Sequence, residues 1–403
     1  MDKETVYIIG AGLVGSLLAM RLAQTGLNVI VLEKRPDPRT QSKSEGRSIN
    51  LALSHRGIHS LQMADPDLAK SVLEASVFMS GRRMHDRAGQ LSYQAYGESG
   101  QGIYSVGRKH LNELLISAAE NAGAVFQFQS TLKEADVRSK TISLADHNGQ
   151  TVVVKANVVI AADGAFSALR KCLEEQTETS SILEVLSHAY KELDISSCLG
   201  AHFPEPNALH IWPRERFMLI ALPNPDQSLT CTLFLGKNGD SDSFEALSSP
   251  ALAKAFFEKE FPDVLPFLPD FESQWEQHPT TGLATLHTYP WASESWTLIG
   301  DAAHAIVPFY GQGMNCGLED VRILMALLVQ HNFNWEHVFT LFEKERKPNA
   351  EAIAQLALDN FIEMRDKVGD KEFLHKKKVE AILAKSFPTY KSQYSLVSFS
   401  DTP

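Results

Sequence analysis

The chain has 403 residues, 44% of them hydrophobic, enough to bury a large core and to build two or three domains. Lys and Arg number 38 against 49 Asp and Glu, and the net charge of −11 argues against a protein that grips a nucleic-acid backbone through a basic surface. The four cysteines, Cys172, Cys198, Cys231 and Cys316, include no C-x-x-C pair and no histidine at metal-ligand spacing, so no metal is expected and the thiols read as reduced, in the cytoplasm.

The first element is a short apolar strand, Thr5 to Ile9, which leaves no room for a signal peptide ahead of it. It ends at GAGLVG; LLAMRLAQTG then has helical periodicity and closes on Gly26, and NVIVLEKR reads as a second strand. Strand, glycine turn, helix and strand within so short a stretch form a βαβ unit of a parallel sheet. VVVKANVVIAADG and SWTLIGDAAHA each read as a strand running into a polar turn and a helix, later strands of the same sheet. Between them, from about Ser187 to Gly236, apolar and polar residues alternate with aromatics, the pattern of a second, sheet-rich layer. From Trp335 onward the chain is mostly amphipathic helix, and its Lys376-Lys377-Lys378 run reads as a solvated face rather than a membrane dock. No uncharged apolar stretch reaches the roughly 18 residues of a membrane span.

Gly10, Gly12 and Gly15 stand in G-x-G-x-x-G between strand and helix. The first permits the tight turn, the second lets backbone approach a pyrophosphate, and the third allows close helix packing. Glu33, at the end of the second strand, falls where a carboxylate meets a ribose 2′-hydroxyl, which suits FAD or NAD rather than a 2′-phosphate. FAD is favoured by GDAAHAIVPFYGQGMNCGLED: Asp301 suits a ribityl hydroxyl, and after Gly313 the amides of Met314 and Asn315 at a helix start suit the negative charge of a reduced flavin. Asp163-Gly164, a third strand-to-turn carboxylate, reads equally as a plain helix cap or as part of the cofactor site. His304 reads as a structural hydrogen bonder.

These three elements in this order resemble the group A flavoprotein monooxygenases of the para-hydroxybenzoate hydroxylase type. In that family one Rossmann-like domain holds FAD, and NADPH binds without a fingerprint of its own. The stretches GRSINLALSHRG, SVGRKHLNELL, LHIWPRERFMLIALPN, SLTCTLF, GDAAHAIVPFYGQGMN and NFIEMRDKV are similar to the branch that hydroxylates kynurenine. The resemblance implies an α/β fold with an FAD-binding domain, a sheet-rich substrate domain and a C-terminal helical segment, divided as 1–75, 100–180 and 285–340; 76–99 and 181–284; and 341–403. For FAD it implies Val14, Leu32, Glu33, Lys34, Arg35, Ala52, Arg108, Leu132, Asp301, Met314 and Asn315. For an aromatic amino-acid substrate it implies Arg82, Tyr96, Asn360 and Tyr394, with apolar walls from Leu209, Met218, Ile220, Phe234, Pro308 and Phe309.

The expected reaction is NADPH- and O2-dependent hydroxylation of L-kynurenine to 3-hydroxykynurenine through a flavin 4a-hydroperoxide, with no catalytic side chain beyond positioning and flavin stabilisation. A hydroxylase of another aromatic acid is the alternative, and a flavin-binding protein without turnover a remote one. Two departures stand out. The doublet Arg82-Arg83 leaves open which arginine faces the substrate, and the chain stops at Pro403 where members of the family continue into a further helical tail. With such a tail the protein would be membrane-associated, and a homodimer is compatible with the reading.

Overall fold

The computed structural model describes residues 4–40, 50–97, 100–196, 203, 205–239, 241–366, 375, 379, 382–383, 386–387 and 390–403, with backbone alone at 363–366. Cys198 and the Lys376-Lys377-Lys378 run lie outside the described residues. Five runs join in parallel, in the order Trp296–Leu298, Val158–Ala161, Thr5–Ile9, Asn28–Glu33 and Val125–Phe128, the first four largely buried and the last half-exposed at the edge, and Ala292–Ser293 adds an antiparallel edge on the other side. Buried runs of this kind carry Val and Ile at successive positions because a parallel strand covered on both faces has no solvent side. Helix Leu13–Gln24 ends where Gly26, at φ +85°, donates its amide to the Ala23 carbonyl (2.9 Å). It packs beside helices Arg108–Asn121 and Gly313–Gln330.

The run from Val152 to Ala162 is not one strand but two. Thr151–Lys155 pairs antiparallel with Thr141–Ala145 in a separate three-stranded sheet, and Val158–Ala161 enters the parallel sheet. The break at Ala156 and Asn157 is held from outside the run: the Ala156 amide donates to the Lys140 carbonyl (2.8 Å), and the Trp296 indole to the Ala156 carbonyl (3.1 Å). Leu132, Ile142 and Leu144 of the small sheet share the core of the large one.

A second sheet has seven strands in the order Thr281–Tyr289, Ser180–Ile195, Leu229–Gly236, Phe217–Pro223, Leu209–Arg214, Gly81–His85 and Leu91–Ala95. The alternating region therefore starts at Ser180, ahead of the Ser187 expected from the pattern. Every neighbouring pair is antiparallel except Leu209–Arg214 with Gly81–His85. Side chains alternate across such a sheet. Trp212, Leu219, Cys231 and Leu233 point to a core closed by helices Pro250–Glu260 and Phe271–Gln277, while Met218, Ile220 and Phe234 point the other way. A helix from Trp335 to Asp366 and a short one, Gln393–Phe399, complete the described chain. Among the described residues no helix is long and apolar enough to cross a membrane.

Candidate active site

The turn after Thr5–Ile9 exists because its glycines lack side chains. Gly10 sits at φ +101°, where a Cβ would stand 2.6 Å from the Ala162 carbonyl oxygen, and a Cβ on Gly15 would collide with the Gly10 carbonyl. A Cβ on Gly12 would meet nothing within 4 Å. The space above that amide is open at the N-terminus of helix Leu13–Gln24, where a pyrophosphate is electrostatically favoured. Glu33 is buried at the end of its strand; its carboxylate accepts from the Ala11 amide (2.9 Å) and from the Arg35 amide and guanidinium (2.9 Å each). Burial opposes its charge, and those hydrogen bonds together outweigh burial and hold the carboxyl below its ordinary range. Leu32 is buried beneath it, Lys34 and Arg35 are exposed, and Leu132 lies in the core just past Ser130, whose amide donates to the Glu33 carbonyl (2.9 Å). Asn112, which the sequence reading missed, donates to the Ala11 carbonyl (3.1 Å), and its buried Oδ1 has no partner among the described residues.

Val14 faces the late glycine loop. A Cβ on Gly317 would lie 2.7 Å from the Val14 Cγ2, so the first helix and Gly313–Gln330 can close on each other only at a glycine. Asp301 follows Gly300 (φ +59°); it is reached by solvent and yet ringed by protein, and that burial pushes its carboxyl up, as for a group lining an internal cleft. The charge of Arg108, the first residue of its helix, acts on Asp301 in the opposite sense. The Asn315 side chain is a brace. It accepts from the Ser54 amide (2.9 Å) and donates to the Ala52 and Gly311 carbonyls (2.8 and 2.9 Å). The backbone amides of Gly313, Met314 and Asn315 open a helix, where first-turn N–H groups have no acceptor within the helix. Asp163 accepts from the Ala168 amide through Oδ2 (2.7 Å) beside Gly164 (φ +86°), while its Oδ1 is buried without a partner among the described residues. Helix Ala168–Gln176 has Ser167 as its N-cap, whose hydroxyl accepts from the Arg170 amide (3.0 Å), and Asp163 holds the first amide of that helix.

Behind the Gly300-Asp301 turn lies an ion cluster invisible in the motifs. Asp320 accepts from the Gly300 amide (3.1 Å), from His304 Nε2 (2.6 Å) and from Arg346 Nε (2.7 Å). His304 is thus a structural partner of Asp320. No local signal pairs Arg346, on another helix, with this turn.

Arg82 and Arg83 point to opposite faces of Gly81–His85. Arg83 is paired with Glu205 and lies over the Tyr93 ring. The Arg82 guanidinium lies 4.5 Å from the centre of the Tyr394 ring and 5.0 Å from that of Tyr96, two rings stacked at 5.7 Å. Among the described residues its Nε and the Tyr96 hydroxyl are buried without hydrogen-bond partners, and no carboxylate pairs with Arg82. Leu209 and Ile220 pack around Tyr96 and Tyr394. Ile220 also touches the neighbouring group that contains Met218, Phe234 and Phe309, so one apolar wall runs between them. Phe309 stacks on Phe361 at 4.2 Å, and Asn360 donates to the Phe309 carbonyl (2.6 Å), while Pro308 starts the same turn and is exposed. Ala52 belongs to the Tyr96 group and is also held by Asn315, so the cleft adjoins the late loop. A surface depression lined by Gln62, Lys70 and Tyr104 shares no residue with it.

The open cradle at Gly12, the Asn112 and Asp163 Oδ1 atoms that are unpartnered among the described residues, and the solvent-reached but protein-ringed Asp301 fit a dinucleotide that carries a second, ribityl-linked ring. The family described as FAD binding domain matches residues 3–357. The tetrameric 2-methyl-3-hydroxypyridine-5-carboxylic acid oxygenase has the same fold, with a TM-score of 0.74 over 91% of this chain and 94% of its own at 19% identity. Fold and site thus define an FAD-dependent monooxygenase. Kynurenine 3-monooxygenase of Cytophaga hutchinsonii is 49% identical over 402 residues, 99% of this chain and 89% of that protein, and that of Myxococcus xanthus is 46% identical over 407 residues, 100% and 87%. The chain belongs to the kynurenine 3-monooxygenase family.

Proposed function

We propose that this enzyme hydroxylates L-kynurenine to 3-hydroxykynurenine with NADPH and O2 as co-substrates. The observation that carries the substrate is Arg82, a guanidinium in an apolar cleft that meets two tyrosine rings and no carboxylate among the described residues. An amino-acid substrate brings the missing carboxylate, and a planar guanidinium answers it with two parallel hydrogen bonds. Tyr96 and Tyr394 add hydroxyl donors. The wall of Leu209, Met218, Ile220, Phe234 and Phe309, with Pro308 exposed at its edge, holds the aromatic ring and keeps water out, and Asn360 braces that wall through the Phe309 carbonyl.

FAD, when bound, supplies the electron transfer from NADPH and the activation of O2. The protein's part is to hold it. Gly10, Gly12, Val14 and Gly15 receive the pyrophosphate end, Glu33 within Leu32 to Arg35 the adenosine ribose, and Asp301 the ribityl chain. Ala52, Arg108, Leu132, Asp163 and Gly164 line the remainder, and the first-turn amides after Gly313, at Met314 and Asn315, stabilise negative charge where the helix dipole favours it. The test is NADPH oxidation by the FAD-loaded chain with and without L-kynurenine, with the product weighed by mass spectrometry. Faster oxidation and a product heavier by one oxygen are expected. Indifference to kynurenine, with a response to another aromatic acid, would move the substrate and keep the class.

A further inference from the structure

A second cluster stands apart from the cleft, on helix His55–Ala64. His55 and His59 are four residues apart and so share one face of that helix. Asp401, near the far end of the chain, lies against both: one carboxylate oxygen is 3.0 Å from His55 Nε2 and 3.0 Å from His59 Nδ1. The three ligand atoms lie within 4.8 Å of one another, and solvent reaches all three side chains. Two imidazole nitrogens that face one carboxylate oxygen need a bridging group on each contact. That group can be a proton on each ring or a single metal ion.

We propose that His55, His59 and Asp401 form a divalent-metal site whose ion is zinc. Two imidazoles and one carboxylate, with water in the fourth position, are a donor set that zinc takes readily. Zinc bonds of ~2.0–2.2 Å put the ligand atoms of a tetrahedral site roughly 3.4 Å apart, so the 3.0 Å contacts need to open only slightly. Arg322 approaches the other Asp401 oxygen (3.4 Å), which His59 Nδ1 also meets (3.1 Å), and is held by Glu319 (3.0 Å), so among the described residues no guanidinium contacts the shared oxygen. The second group of this kind among the described residues, His304, Cys316 and Asp320, is buried, and Arg346 already supplies its positive charge.

The ion would do more than decorate the surface. Asp401 follows the helix Gln393–Phe399, whose Tyr394 lies over Arg82. The Arg56 guanidinium, on the same helix as the histidines, donates to the Val397 and Thr402 carbonyls of this segment. A filled site therefore fastens the segment that carries Tyr394 to the helix His55–Ala64. The consequence for the cleft rests on the reading of Tyr394 as a substrate residue; the metal site itself does not.

The experiment titrates chelator-stripped, FAD-loaded full chain with zinc chloride by calorimetry and follows amide exchange over residues 393–402. One ion per chain is expected, bound at least about tenfold more weakly by His59→Ala and by Asp401→Asn. Zinc should slow exchange in that segment in the parent and not in Asp401→Asn. Both substituted side chains are at the surface, and thermal melts without zinc verify that the variants fold. No binding, or equal binding by both variants, overturns the site and leaves the cluster a proton-bridged contact; binding without slowed exchange overturns the fastening. Neither readout involves kynurenine, so failure here is separable from failure of the substrate reading.

Discussion

Arg346 and Arg82 are both enclosed by this fold, and they are answered differently. Arg346 is 1% exposed and meets two carboxylates, Asp320 at 2.7 Å and Glu319 at 3.0 Å. Arg82 meets two tyrosine rings and no carboxylate among the described residues. Taking a guanidinium out of water costs several kcal/mol unless an anion and good hydrogen bonds repay it. Where the anion is part of the chain the charge is architecture, and here it secures the Gly300-Asp301 turn. Where the described residues supply none, as around Arg82, the proposed function assigns the anion to the substrate's carboxylate.

The largest effect should come from breaking the answered arginine. Asp320→Ala removes the partner of His304 and leaves Arg346 with Glu319 alone (3.0 Å), and should destabilise the protein by about 3 kcal/mol, read as a lower denaturant midpoint. Burial pushes the Asp320 carboxyl up, but His304 and Arg346 together outweigh it and hold the carboxyl below its ordinary value. Its folded pKa is thus below the unfolded one. The stability it contributes is complete above the unfolded value of about 4 and is lost as pH falls through the folded value. Asp320→Asn should flatten that acid limb of the stability profile, and an unchanged limb would remove Asp320 from the account.

Arg82→Ala should behave in the opposite manner. We expect kynurenine binding weakened by about two orders of magnitude, the equivalent of ~3 kcal/mol, in a protein that melts no lower than the parent. An unaltered kynurenine constant would remove the carboxylate clamp. The smallest effect is expected from Arg83→Ala, which breaks a pair with the exposed Glu205 carboxylate worth at most about 1 kcal/mol and leaves the kinetics as they were. A hundredfold loss from Arg83 together with none from Arg82 would reverse the comparison.

Legibility followed the range of the forces involved. The alternating pattern announced the second sheet but placed its start late, because the first part of Ser180–Ile195 is largely exposed and lacks a buried face to mark it. The single run from Val152 to Ala162 hid two strands, since pairing partners elsewhere in the chain assign each half to its own sheet. His55 and His59 could have been noticed from their one-turn spacing, but nothing local places Asp401 beside them.

By itself the sequence determined the nucleotide end of this protein. The requirements there are backbone conformation and close approach, which Gly10, Gly12, Gly15 and the nearby Glu33 meet within one βαβ unit. The cleft was decided only by the tertiary structure. Arg82 and Arg83 are neighbours of the same chemistry, and which of them faces Tyr96 and Tyr394 depends on how Gly81–His85 is seated against Leu209–Arg214 and on which face of that sheet the rest of the chain covers. A strand sends alternate residues to opposite faces, and only the packing of distant segments says which face is the inside.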